Sequence, residues 1–208
     1  RCTRRFWALV VEGPNQMDVL CIVGRSCAIN IREAGVGLLP GDRLIASYSC
    51  GSPAPLPIGM PGIGIAENVG NGSFHFLPEK GAVDDFLRSE PGIYRVCFCR
   101  PNGPDNLDCD KTSQFKAHVG YLTAEGPNWA QVGFNCVMGD ECSIHGLKGV
   151  NLRPNDQAML VNTECGESCS SDGCQPLTPS GQLGPSSYDI GILDTSLTPG
   201  VWSLCWCS

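Results

Sequence analysis

Charge is scarce in this chain. Only 17% of the 208 residues are Asp, Glu, Lys or Arg, and the balance is −7. No sustained basic patch exists to attract nucleic acid or anionic lipid. Aromatic residues make up 7% and histidines number three. No apolar run approaches the roughly 20 residues of a membrane-crossing helix. Catalytic signatures are missing as well: there is no Gly-x-Ser-x-Gly elbow, no phosphate-cradling glycine loop and no His-Glu-x-x-His pair. These absences argue against a nucleic-acid binder and a helical membrane protein, and they point away from an enzyme.

What the chain has in excess is glycine (26), proline (16) and cysteine (14). Dense glycine and proline punctuation favours short strands and turns over long helices. An even and high cysteine count fits a disulfide framework formed in an oxidising compartment, where cross-links worth about 2–4 kcal/mol each supplement small cores. Secretion or a cell-surface location is therefore expected. Arg1-Cys2-Thr3-Arg4-Arg5 leads into a strand-like run, not into an apolar stretch with a cleavage site. A mature form or a piece of a longer chain is the expectation.

The chain repeats its own phrases. "VVEGPN" (Val10–Asn15) returns as "TAEGPN" (Thr123–Asn128), and "CIVGRSCAI" (Cys21–Ile29) as "CVMGDECSI" (Cys136–Ile144). "GVGLLPGD" (Gly35–Asp42) returns as "GVNLRPND" (Gly149–Asp156), and "SYSCGS" (Ser47–Ser52) as "NTECGES" (Asn162–Ser168). "PGIYRVCFC" (Pro91–Cys99) returns as "PGVWSLCWC" (Pro199–Cys207). The offset is 113–115 through the first four matches and 108 at the last. Kept order and spacing indicate a duplication: copy one at 1–100, a turn-rich linker at 101–108 and copy two at 109–208. A catalytic group would show as a departure of one copy from the other, and no nucleophile–base pair departs in that way.

Within each copy, alternating or β-branched runs lie between turn signals, roughly seven strands per hundred residues. The expected fold is all-β: two tandem, disulfide-rich, antiparallel β-sandwiches of immunoglobulin-like type. The stretch Gly81–Ser89 reads as a short helical turn. In the closing phrase, period two places Tyr94, Val96 and Phe98 on one face and Arg95, Cys97 and Cys99 on the other. Burial of three large apolar groups turns the aromatic face to the core, so both cysteines face away from it, towards a strand, loop or module.

Connectivity cannot be read from sequence. By symmetry we favour Cys21–Cys97, Cys27–Cys50, Cys136–Cys205 and Cys142–Cys165, with Cys99–Cys109 across the linker and Cys169–Cys174 closing a local loop. Cys2 and Cys207 remain as candidates for linkage between units, and the end of the second copy reads as a junction. His145 lies near Cys142 and Asp140, but a disulfide at Cys142 leaves no metal set. Asp105, Asp108 and Asp110 read as a solvated linker and not as a calcium site. Neither a metal nor a cofactor is expected. Asn71-Gly72-Ser73 is an N-glycosylation acceptor, and "PLTPSGQLGPSS" (Pro176–Ser187) suits O-glycans.

The phrases "GIYRVCFC" and "GVWSLCWC", each closing a module, with "VEGPN", "AEGPN" and the linker Cys109, resemble tandem cysteine-rich repeats of large extracellular protist proteins. These include mastigoneme-like and other fibrous surface proteins. The resemblance covers both copies and carries no active site. It implies a structural or adhesive array. The expected function is thus a non-enzymatic extracellular module, a repeat unit chained head to tail in a filament or surface array, whose partners are copies of itself or neighbouring repeats. The alternative is a cell-surface adhesin, receptor or glycan-binding module that would use the Pro/Gly-rich loop Ser52–Gly72.

Overall fold

The computed structural model describes residues 10–31, 35–53, 55–70, 72–76, 86–101, 108–128, 133–153, 156–162, 165, 174–176, 187–193 and 199–207. Among these there is no α-helix. The strands are, in order, β1 (Gly13–Pro14), β2 (Met17–Ile22), β3 (Ala28–Asn30), β4 (Gly35–Val36), β5 (Arg43–Ser47), β6 (Ile65–Asn68), β7 (Ser73–Phe76) and β8 (Gly92–Cys99). The remainder are β9 (Ala117–Pro127), β10 (Glu141–Ile144), β11 (Gly149–Val150), β12 (Gln157–Val161), β13 (Cys174–Pro176), β14 (Tyr188–Ile192) and β15 (Ser203–Cys207). Short 3-10 turns occur at Pro61–Gly64 and Thr112–Gln114.

The chain divides into two compact units, Arg1–Ser89 with Ile93–Ala124, and Glu90–Gly92 with Glu125–Ser208. In the first, the strands run β3-β7-β6-β5-β8-β9, and β2 pairs with β9. The two ends of this order, β3 and β2, are neighbours in sequence and are tied by the Cys21–Cys27 disulfide. The sheet therefore curls towards a barrel, which hides edges that would otherwise be exposed. Inside lie Ile29, Leu44, Phe74, Tyr94, Val96 and, from β9, Val119, Leu122 and Ala124. A fully buried side chain such as Phe74 contributes about 2–3 kcal/mol. On the other face of β5 and β8, Ile45, Cys97 and Cys99 meet Ile65, Cys109 and Phe115 in a second cluster. The period-two reading of the closing phrase holds: Tyr94 and Val96 are in the core, Phe98 packs against it, and the cysteines face the other side. They are nonetheless buried, at 0% and 4% exposure.

In the second unit, β12 pairs with β13 and β15, β10 pairs with β14, and β11 pairs with Gly126 and Pro127 at the end of β9. Its core comprises Ile144, Leu147, Ala158 and Tyr188, with Leu160 and Leu204 against it.

The duplication is repeated in register. Gly13 faces Val36 and Pro14 faces Gly35; Gly126 faces Val150 and Pro127 faces Gly149. Arg43 faces Cys99, and Gln157 faces Cys207. Ile29 faces Phe74, and Ile144 faces Tyr188. Disulfides match too: Cys21–Cys27 with Cys136–Cys142, and Cys50–Cys97 with Cys165–Cys205. Gly37 (φ 63°) and its counterpart Asn151 (φ 52°) share a left-handed backbone, which asparagine tolerates better than other side chains.

The disulfide pairing and the Pro/Gly loop differ from expectation. Cys21 bonds Cys27 and not Cys97, because Cys21 lies in the inner cluster while Cys97 faces the outer one. Cys50, in the turn three residues after β5, lies on that outer side and takes Cys97, leaving Cys27 to Cys21. The second copy follows suit, replacing Cys136–Cys205 and Cys142–Cys165. The compact units are a different division of the chain from the sequence copies at 1–100 and 109–208: the first continues to Ala124 and takes in most of β9. The loop Ser52–Gly72 contains β6, paired on both sides, with Ile65, Ala66 and Asn68 buried. In copy two, 133–137, which align with most of β2, form no strand. Of the expected helical turn, 81–85 lie outside the described residues, while Phe86 bridges Ser26 and Leu87 is buried.

Loop length separates the disulfides energetically. The Cys50–Cys97 bond closes a separation of 47 residues and Cys21–Cys27 one of 6. In the chain-entropy picture, removing the first by paired Cys→Ala substitution costs about 4 kcal/mol and removing the second about 2 kcal/mol. Urea denaturation of the two double variants is expected to show that order; equal losses would contradict it.

Candidate functional site

Two features stand out, one in each unit. In the first, Arg100 directly follows β8 and gathers three segments. Its Nε and Nη2 donate to the Asp42 carboxylate at 2.9 and 3.0 Å, its Nη1 to Glu12 Oε2 at 2.6 Å and its Nη2 to the Gly37 carbonyl at 2.8 Å. Asp42 is 1% exposed and also accepts from the Leu39 N–H at 2.8 Å. The hydrogen bonds to Asp42 chiefly raise the guanidinium pKa; burial opposes this, and Glu12 adds to the rise. The clamp thus locks the end of the closing strand to the opening segment and the turn before β5. In the second unit Glu125, the counterpart of Glu12, is bound otherwise: Asn151 Nδ2 donates at 2.6 Å and Arg153 Nη2 at 3.0 Å.

The second unit contains an open apolar cleft of about 900 Å³. Its walls include Phe134, Leu160, Tyr188, Trp202, Leu204 and Trp206. The Tyr188 hydroxyl and the Trp206 indole N–H are buried and have no hydrogen-bond partner among the described residues. Burial pushes the Tyr188 phenol above its ordinary pKa; the charge of Asp156 adds to the rise, and the nearby Trp206 N–H opposes it. Such a surface offers broad apolar contact, with polar groups from Tyr188, Trp206, Asn128 and Asn135.

The predicted site residues are distributed as follows. Cys99 bonds Cys109. Cys2, Cys169 and Asn71 lie outside the described residues, as do the side chains of Cys174 and Cys207. Asp105 does too, whereas Asp108 and Asp110 are exposed. His75 and His145 are exposed and contact serine hydroxyls, Ser73 at 3.1 Å and Ser143 at 2.9 Å. Cys142 is in a disulfide, so no thiolate stands beside His145. No cluster of three or more metal-ligating side chains occurs among the described residues, and none of their helices is long and apolar enough to cross a membrane. The Arg100 clamp was missed in the sequence, although Asp42 and Glu12 both fall inside repeated phrases.

A scan of protein-family models and searches of curated proteins and of solved structures return no match to this chain.

Replacing Arg100 by Leu leaves the Asp42 carboxylate buried without its cation. The expected loss is about 3–5 kcal/mol in the first unit, with partial recovery in Arg100→Leu/Asp42→Asn; urea titration measures both. Tyr188 gives a prediction about alkaline pH. Its raised folded pKa means its contribution is complete below about pH 10, the ordinary phenol value, and is lost as pH climbs through the raised value. Tyr188→Phe is expected to flatten the fall in stability above about pH 10, measured by denaturant titration. A fall as steep as the parent's would count against it.

Proposed function

We propose that this chain is a non-enzymatic extracellular structural module: two tandem immunoglobulin-like β-sandwich repeats that serve as the unit of a filament or surface array, chained head to tail. The observation that carries this reading is β9. The opening strand of copy two lies in the sheet that copy one began, and the Cys99–Cys109 bond fastens it beside the closing strand. One copy is thus completed by the next, a heterologous relation that extends without closing. Five disulfides among the described residues are consistent with an oxidising setting, and the resemblance to fibrous surface repeats agrees with it. The adhesin reading loses support because its recognition loop contains framework strand β6.

Chaining predicts a covalent mark. Peptide mapping of native material without reduction is expected to find Cys207 of one unit joined to Cys2 of another, and electron microscopy to find ordered fibres. Both cysteines present as thiols or bonded within their own modules, in dispersed particles, would refute the chaining.

A further inference from the structure

Each closing strand has two edges. In the first unit β8 lies between β5 and β9. In the second, β15 pairs with β12 on one edge, and no strand lies on the other among the described residues. Burial follows the difference. Tyr94 and Val96 are 3% and 0% exposed. Their counterparts Trp202 and Leu204 are only half-buried and line the cleft.

In the first unit β9 fills the corresponding space, with Val119, Leu122 and Ala124 in the core. β9 is the opening strand of a copy, and the chain carries one other opening segment. Aligned at the offset of 113, "RRFWALVVEGP" (Arg4–Pro14) matches "AHVGYLTAEGP" (Ala117–Pro127). The three core positions of β9 become Phe6, Leu9 and Val11, all apolar. Ala124 is 0% exposed, whereas Val11 is 76% exposed and belongs to no strand. One chain therefore holds a closing strand with no outer neighbour among the described residues and an opening segment whose valine, equivalent to a core position of β9, is in solvent.

We propose that the cleft of the second unit accepts residues 4–14 of a second copy of this chain. The segment adds as a strand along the outer edge of β15 and buries Phe6, Leu9 and Val11 against Trp202, Leu204 and Tyr188. Backbone pairing supplies the attachment and the alternate side chains supply selectivity. The inference rests on the chained-repeat reading and names the contact that performs it.

Size agrees with this occupant. Within β9, Gly120 is obligatory: an added Cβ would fall 1.5 Å from the Met17 carbonyl oxygen in β2. The aligned residue of the donor is Trp7. In the second unit 133–137, which align with most of β2, form no strand and are exposed. The bulkier donor meets an open cleft of about 900 Å³.

The test uses full-length chains. Val11→Asp disables the donor and leaves the cleft intact; Leu204→Arg blocks the cleft and leaves the donor intact. Each variant alone is expected to stay monomeric by size exclusion with light scattering. An equimolar mixture is expected to double in mass, because one productive donor–acceptor pair remains. A synthetic peptide of residues 3–15 should bind the Val11→Asp chain saturably at one per chain. Leu9→Asp/Val11→Asp in the peptide should weaken binding at least about tenfold. The peptide arm decides the matter if Leu204→Arg fails to fold. No mass increase from two folded variants, or equal binding of a scrambled peptide, overturns the proposal. Ordered assemblies of the parent that neither variant weakens would leave the filament reading standing and sink this contact. A doubled mass in the mixture with no longer assembly of the parent would uphold the contact and sink the filament.

Discussion

The edges of the closing strand are the constraint from which the first unit follows. β8 has apolar side chains on both faces, Tyr94 and Val96 inward and Cys97 and Cys99 outward, so it is stable only when covered on both. It also has two rows of backbone donors and acceptors, and leaving either row buried and unpaired is costly. β5 satisfies one edge from within the same copy; β9, the first strand of the next copy, satisfies the other. The outer face is closed by Phe115 and the Cys99–Cys109 bond, from the segment that leads into β9. The first unit is therefore built from more than one repeat.

The Arg100 clamp makes the same arrangement specific. A buried carboxylate such as Asp42 is tolerable only with a cation and hydrogen bonds, and Arg100 supplies both while reaching Glu12. A desolvated ion pair is weak evidence for stability, but it penalises alternative registers strongly. A one-residue slip of β8 would exchange its inward and outward faces and move Arg100 off Asp42. The repeated phrases of this chain thus carry register information as well as apolar content.

Most of the strands were legible in the sequence. β2, β3, β5, β7 and β8 coincide with runs whose period is two or whose residues are β-branched, whereas which strands pair did not follow from those runs. β6 was hidden because Ile65–Asn68 follows a dense glycine and proline stretch, which locally resembles an irregular loop; tertiary pairing with β5 and β7 overrides that signal. The observed disulfides agree with the alternation of the closing strand better than the pairing expected by symmetry does. Period two had already placed Cys97 on the outward face, and Cys21 ends a strand whose side chains reach the inner cluster. A bond between them would have to cross the sheet. The short spacing of Cys21 and Cys27 around Gly24, which has φ of 83°, was the better indicator: a tight turn brings its flanks together.

The cleft and the Gly120 contact were illegible because both depend on what lies next to a strand, and neighbours are not written into local pattern. Comparison of the two copies supplies the missing term. Where equivalent positions differ in burial, as Ala124 and Val11 do, intrinsic apolarity is not the cause, since valine is the more hydrophobic of the two. The difference follows the neighbours: Ala124 has a paired strand on each side of β9, and Val11 has none among the described residues. The same comparison applied to Val96 and Leu204 identifies that neighbour from the opposite side, as a strand beside the closing phrase. Two independent pairs of positions, one on the donor and one on the acceptor, thus point to one missing contact.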